Sequence, residues 1–335
     1  MLFSIIIPMY NLENYIQETL NSILQNDLSD CELILLSDGS IDKTVEVAEA
    51  LLKEKCPCYY AIIKKENTGV SDTRNQGIKV AKGKYIIFCD GDDFFEPELL
   101  VTLRKNLIED IDMAAWPYYI LQEGKKKISQ EGSKSAIYDS VQMMKLHLLE
   151  GYRMRLGSFV IKKDCLMSAD LFFTKECTFA EDMEFIMKCI LQSRSIQWID
   201  SPLFCYQKRQ GSLVNSFDLR RFEASRAIER VAAYMRDRQI VLDDKIDEYI
   251  SNGLYVLHFI YSLEGSILSL RTLVDGSRLR NAIQENYSDV EMNCRHKIKK
   301  MKTPPYGVSG NRICLLKMGT AFYIQIRILK NRIRG

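Results

Sequence analysis

Along the first ninety residues, short runs of β-branched and aromatic side chains alternate with stretches whose apolar positions recur every three or four residues. Phe3-Ser4-Ile5-Ile6-Ile7-Pro8 predicts a strand that ends at the proline. Asn11 then predicts the N-cap of a helix with Ile16, Leu20, Ile23 and Leu24 on one face. Glu32 to Leu36 predicts a second strand, and Asp42 the cap of a helix carrying Val45, Val47, Ala48, Leu51 and Leu52. Tyr59 to Ile63, a helix near Ser71 to Val80, and a fourth strand at Tyr85 to Phe88 complete the series. Such alternation predicts an α/β fold: a mostly parallel sheet with right-handed crossovers, flanked by helices.

Past residue 110 the pattern is less regular. Met113 to Ile120 predicts a strand broken at Pro117, Lys125 to Ser135 a surface loop or hairpin, and Gly157 to Lys162 another strand. Phe185, Ile186, Cys189 and Ile190 fall at helical spacing, so Glu181 and Asp182 occupy a first helical turn, where carboxylates complement the helix dipole. From Phe217 the pattern is helical, over Arg221 to Arg236 and Asp243 to Ser269. The chain therefore divides into residues 1–110, 111–215 and a C-terminal helical region, 216–335. In its tail Phe322, Ile326, Leu329 and Ile333 share one helical face flanked by Arg327, Lys330 and Arg334. A helix of this kind over 322–334 fits peripheral contact with an anionic membrane or docking on its own domain, and both readings stay open here.

Composition narrows the class. A chain of 335 residues with a formal net charge of +2 has no overall charge bias towards nucleic acid, although no acidic residue follows Glu291. The ten cysteines show no metal or disulfide-framework spacing and only three histidines accompany them, which points to free thiols in a reducing cytoplasm. Met1-Leu2-Phe3-Ser4 runs into a strand with no basic leader, so no signal peptide is expected. The best apolar run, Leu254 to Leu263, is half the ~20 residues that span a bilayer. The expected location is cytoplasmic, with the tail reading adding the inner face of the plasma membrane.

The densest candidate chemistry is Tyr85-Ile86-Ile87-Phe88-Cys89-Asp90-Gly91-Asp92-Asp93. A buried strand would deliver Asp90, Asp92 and Asp93 to its carboxyl end, which is where open α/β sheets bind ligands. Asp-x-Asp there suits a hard divalent cation whose shell is completed by substrate phosphates, and Gly91 permits close backbone approach. A turn leading into a helix capped by Asp93 is the plainer alternative. Neither Gly-x-Gly-x-x-Gly nor Gly-x-x-x-x-Gly-Lys-Ser follows any strand, so dinucleotide and P-loop sites are excluded.

Ile6-Ile7-Pro8-Met9-Tyr10-Asn11, Leu36-Ser37-Asp38-Gly39-Ser40-Ile41-Asp42, Asn67-Thr68-Gly69-Val70-Ser71, Arg74-Asn75-Gln76-Gly77 and Asp90-Gly91-Asp92-Asp93 stand in the order and spacing of family 2 glycosyltransferases. The chain resembles that family closely over about its first hundred residues and more loosely to Ser212. The resemblance implies a GT-A fold and inverting transfer from a nucleotide-sugar donor, with UDP the expected nucleotide. It implies an acceptor hydroxyl on a saccharide or lipid-linked saccharide, in surface polysaccharide or glycolipid synthesis. By the same resemblance Pro8 and Tyr10 pack on the base, Asp38 bonds base or ribose, and Asn67 and Arg74 add nucleotide contacts. Asp90 with Gly91 meets the ribose or a metal-bound water, and Asp92 ligates Mg²⁺ or Mn²⁺. The Glu-Asp pair implies Asp182 as catalytic base, kept ionised by its helix N-terminus, and Glu181 as an orienting or acceptor-binding group.

Three departures from the family pattern stand out. Ser37 replaces the first Asp of Asp-Asp-Gly-Ser, Asp72-Thr73 replaces a small pair before Arg74, and Gln207 replaces an arginine in Tyr206-Gln207-Lys208-Arg209-Gln210-Gly211-Ser212. The last of these leaves Lys208 or Arg209 to carry the diphosphate charge. Two rival functions were weighed: a nucleotidyltransferase, which would want a basic glycine-rich first loop, and a catalytically inactive scaffold of a polysaccharide assembly complex.

Overall fold

The protein is described from a computed structural model covering residues 1–208, 218–268, 273–301, 304–306 and 308–334, without the side chains of 268, 273, 274, 322 and 329–334. Its first elements are β1 (Phe3–Met9), α1 (Ile16–Leu24), β2 (Cys31–Asp38), α2 (Thr44–Lys55), β3 (Tyr59–Lys65), α3 (Val70–Val80) and β4 (Tyr85–Phe88). Every residue of β1, β2 and β4 is buried, as expected of parallel strands covered on both faces. β1 pairs in parallel with β2 from Phe3↔Cys31 to Met9↔Ser37, and with β4 from Phe3↔Tyr85 to Ile6↔Phe88. Even-numbered β1 residues bond the β4 side (Tyr85 N to Leu2 O, 2.8 Å; Cys89 N to Ile6 O, 3.0 Å). Pro8, which has no N–H, thus falls where β4 has already ended, and β1 continues through it to Met9.

The chain continues with β5 (Phe94–Phe95), α4 (Leu99–Asn106), β6 (Met113–Ala115), β7 (Tyr118–Gln122), β8 (Lys125–Ile128), β9 (Ala136–Tyr138), α5 (Ser140–Leu149), β10 (Phe159–Lys162), α6 (Lys163–Ser168), α7 (Glu181–Gln192), β11 (Ile196–Trp198) and β12 (Phe204–Gln207). The main sheet runs β3-β2-β1-β4-β10-β6-β11-β9, with β10 antiparallel to both its neighbours. A smaller sheet, β5-β12-β7-β8, contains a β7–β8 hairpin that turns at Glu123-Gly124, so Lys125 to Ile128, expected in a surface loop or hairpin, form its second strand.

Three predicted caps fall elsewhere. Asp42 is not the cap of α2, which follows Lys43, although its carboxylate accepts from Thr44 N at 3.0 Å. Asn11 has φ 51° and does not cap α1, which starts at Ile16. It instead ties two loops, donating its backbone N–H to Ser40 Oγ at 3.2 Å and accepting from Ile41 N at 3.0 Å. Asp93 caps no helix, because α4 begins six residues later and follows Glu98.

Two compact units result: residues 1–176 with 185–209, and 177–184 with 210–335. In the first, Phe173 stacks on Phe185 at 3.8 Å between centroids, and Phe88 meets both rings edge-on. The second is helical: α8 (Glu223–Asp237), α9 (Asp244–Glu248), a π turn (Tyr249–Leu254), α10 (Tyr255–Leu268), α11 (Leu273–Asn286), α12 (Ser288–Lys300), α13 (Gly310–Lys317) and α14 (Thr320–Arg334). Within that unit α14 buries Tyr323, Ile324 and Ile328, and Arg327 pairs with Glu264 at 3.1 Å. Of the predicted tail face, Ile326 is half-buried, and the side chains of Phe322, Leu329 and Ile333 lie outside the described residues. Among the described residues no helix is long and apolar enough to cross a membrane.

Candidate active site

Loops from the carboxyl ends of β1, β2 and β3 are cross-linked by side chains whose spacing in sequence is about thirty residues. Thr44 Oγ1 accepts from Leu12 N at 2.6 Å, and Asp42 accepts from Glu13 N at 3.0 Å. Pro8 is buried beneath this junction, while the Tyr10 ring is 51% exposed and presents a face for stacking.

Asp38, the last residue of β2, is buried, and its carboxylate organises the β3–α3 loop. Oδ1 accepts from Thr68 N at 2.9 Å and from Lys65 Nζ, and Oδ2 accepts from Gly69 N at 3.0 Å. Burial works to raise this carboxyl, but the Lys65 ammonium and the Thr68 amide outweigh it and hold the group below its ordinary value. Gly39 takes φ +75°, and a Cβ there would stand 3.0 Å from Asn67 N, so this turn needs glycine. Asn67 itself is exposed.

At the end of β4, Asp90 accepts from Arg74 Nη2 at 2.7 Å. The Arg74 side chain is 4% exposed and that of Asp90 35%. Arg74 also lies over the Phe173 ring, 5.3 Å from its centroid, so this arginine holds a carboxylate from beneath rather than facing solvent. Neighbouring Asn75 pins the Phe173 backbone twice, donating to its carbonyl at 2.9 Å and accepting from its N–H at 2.8 Å. Gly91 is buried, and a Cβ on it would approach Leu12 Cδ1 to 2.6 Å and Pro8 O to 3.3 Å. The glycine of the acidic motif therefore lets β4 come up against the first loop. Asp92 is half-buried.

Asp93 turns inward. It accepts from Gln207 N at 2.9 Å, and burial, with Asp92 and Asp90 adding, pushes its carboxyl well above the usual range. Arg155 stacks on Tyr206, one residue before Gln207, at 3.7 Å from the ring centroid. Lys208 is half-buried and its N–H bonds Leu121 O at 2.9 Å; Arg209 lies outside the described residues. Sequence reasoning missed Lys65, Asn75, Arg155 and Phe173, whose importance comes from partners distant in sequence; for Lys65 a basic residue two places before Asn67 was the available signal.

Among the described residues no three His, Cys, Asp or Glu side chains converge as a metal cage. Asp90 and Asp92 nevertheless fit a Mg²⁺-type ion, which takes one or two carboxylates and fills its octahedron with water and substrate phosphate. In the second unit, Ala180 at φ 64° precedes α7, and Asp182 accepts from Met183 N at 2.7 Å. Glu184, one turn in, pairs with Arg230 at 2.7 Å. Glu181 is half-buried.

The sequence profile described as "Glycosyl transferase family 2" matches residues 4–171, half of the chain. The chain belongs to glycosyl transferase family 2. Its family match takes in Pro8, Tyr10, Asp38, Asn67, Arg74 and Asp90 to Asp92; Asp182, Lys208 and Arg209 lie beyond it. Among curated members, "Uncharacterized glycosyltransferase EpsJ" of Bacillus subtilis is 29% identical over 218 residues, 63% of this chain and 62% of EpsJ. The Staphylococcus aureus poly(ribitol-phosphate) beta-N-acetylglucosaminyltransferase TarS is 27% identical over 220 residues, 64% of this chain and 37% of TarS. Both matches cover less than two thirds of the relative. The crystal structure of S. aureus TarS 1–349 with UDP-GlcNAc superposes with TM-score 0.71 at 20% identity, covering 99% of this chain and 89% of that one. That likeness is one of fold, and it takes in the C-terminal helices as well as the α/β sheet.

Proposed function

We propose that this protein transfers a sugar from a UDP-sugar, with inversion at the anomeric carbon, to an acceptor hydroxyl in cell-surface polysaccharide or glycolipid synthesis. One observation carries the reading. Tyr10, Asp38 and the Asp90-Gly91-Asp92 turn stand on loops from the carboxyl ends of adjacent parallel strands, cross-linked by Asn11, Asp42 and Thr44. The nucleotide-sugar donor is supported further by family membership, UDP by the UDP-GlcNAc complex of TarS, and a polymer acceptor by that enzyme's action on poly(ribitol-phosphate).

In this mechanism Tyr10 stacks on the base over Pro8, and Asp38 accepts from a base N–H or ribose hydroxyl. Asp92, with Asp90 behind it, holds Mg²⁺ or Mn²⁺. The bound cation supplies neutralising charge for the departing diphosphate. Asp182 takes the proton from the attacking acceptor hydroxyl, in one in-line displacement. Glu181 orients that acceptor, and Lys208 and Arg209 face the diphosphate.

The test is a thermal-shift screen of UDP-, GDP- and dTDP-sugars with and without Mn²⁺, followed by a transfer assay with the donor that binds. Binding to the folded state alone raises the melting temperature, by about 2.7 kcal/mol of stabilisation at a hundredfold excess over Kd. Stabilisation by UDP-sugars above the other two classes is expected. Indifference to every nucleotide-sugar would overturn the reading and favour the inactive scaffold.

A further inference from the structure

Eleven lysines and arginines and no acidic residue follow Glu291. In the helical unit, carboxylates match four of them: Arg295 with Glu291 at 2.7 Å, Lys297 with Glu229 at 3.0 Å, and Arg312 and Arg327 with Glu264 at 3.3 and 3.1 Å. Lys299, Lys300 and Lys317 are exposed and have no carboxylate partner among the described residues. They stand at the C-terminal ends of α12 and α13. Between those helices lies a cleft of about 190 Å³ lined by Ile298, Met301, Pro304, Ile313 and Cys314, with Lys317 also contributing. The flanking chain holds large apolar side chains in water: Tyr306 is 64% exposed and Met318 61%.

We propose that α12 and α13, together with Met301, Tyr306 and Met318, form a docking surface for an anionic phospholipid membrane. Charge complementarity selects a negatively charged partner, since three exposed ammonium groups without a carboxylate partner among the described residues stand in the last turns of α12 and α13. The apolar part selects a bilayer over a soluble polyanion. A phosphodiester polymer would pair with the lysines and leave Met301, Tyr306 and Met318 in water. A bilayer interface takes both: ammonium groups at the lipid phosphates, and methionine and tyrosine side chains at the headgroup–acyl boundary. The proposal uses none of the candidate active-site residues and does not depend on the activity proposed above.

The test uses the full chain and vesicles of phosphatidylcholine alone or with phosphatidylglycerol. Truncation is a poor probe, because α14 contributes buried Tyr323, Ile324 and Ile328 to its unit. Binding is expected to require phosphatidylglycerol and to fall as salt rises. The triple variant Lys299→Gln, Lys300→Gln, Lys317→Gln changes exposed side chains only, so its melting temperature should hold while vesicle affinity falls about a hundredfold. Met318→Trp adds a reporter to a chain whose two tryptophans, Trp116 and Trp198, are fully buried, and its emission should shift to the blue on anionic vesicles. Equal binding to both vesicle types, undiminished binding by the triple variant, or retention by soluble polyphosphate with none on vesicles would each overturn the proposal. None of these readouts involves sugar transfer, so a failure here leaves the catalytic reading untouched.

Discussion

Arg74 donates to Asp90 Oδ1 at 2.7 Å while its guanidinium lies 5.3 Å from the centroid of the Phe173 ring. The arginine is thereby held between a carboxylate at the mouth of the site and an aromatic stack in the core, Phe173 on Phe185. Lysine in its place would keep a charge and lose the planar donor set that fits both partners. Arg74→Lys is expected to weaken metal-dependent UDP binding about tenfold with a smaller change in kcat. Titration calorimetry with and without Mn²⁺ checks this, and an unchanged Kd would rule out the positioning role.

The two acidic centres should separate kinetically. Asp182→Asn keeps shape and removes the proton acceptor, so donor binding should persist while kcat drops on the order of 10²–10⁴-fold. Asp92→Ala should instead abolish the Mn²⁺-dependent part of donor affinity. Wild-type turnover by Asp182→Asn would remove this residue from the mechanism.

Asp38 carries a stability prediction with a defined pH sense. Its folded carboxyl lies below the ordinary value, so its contribution is fully present above the unfolded value of about 4 and is lost as pH falls through the folded one. Asp38→Asn removes the nearer of two carboxylates around Lys65, Asp72 at 3.7 Å being the other, and should cost about 2 kcal/mol at neutral pH. In urea unfolding the gap between wild type and variant should close towards pH 3. A gap that stays constant with pH would contradict the ion-pair account.

His147 acts in the same sense but in a higher pH window. Burial lowers its imidazole from 6.5 to about 4, and Nδ1 lies 3.1 Å from the Tyr152 carbonyl. Between those values the unfolded chain binds a proton that the folded one refuses, so stability climbs with pH and levels off above about 6.5, for a total of about 3 kcal/mol. His147→Gln should flatten that slope. Denaturation at pH 4.5, 5.5 and 7 provides the measurement.

The strands were legible because a parallel sheet buried on both faces writes itself as β-branched runs: Phe3 to Met9, Glu32 to Leu36 and Tyr85 to Phe88 needed no tertiary information. The loop motifs were legible as well, and the structure brings Tyr10, Asp38 and Asp90 to the same end of the sheet. What the sequence hid are interactions whose two halves lie far apart. Asp93 read as a helix cap because its true partner, the Gln207 N–H, is 114 residues away. Asn75 lies 98 residues from the Phe173 backbone that it clamps. Asn11 has the side chain of a good cap, and the left-handed backbone that lets it bridge two loops leaves no composition signal. Arg74 read as a ligand contact because charge is visible in sequence and burial is not.

The eight residues 177–184 belong to the helical unit although they interrupt the sheet-bearing one, so the polypeptide passes from one unit to the other three times. Glu184 finds its arginine, Arg230, 46 residues further on. The helical region is consequently not a cassette that evolution or an engineer can exchange with a single crossover near residue 210. A chimera made that way would inherit the first turn of α7 from one parent and the arginine that anchors it from the other. Grafts between relatives should fold well when this short segment travels with its helices.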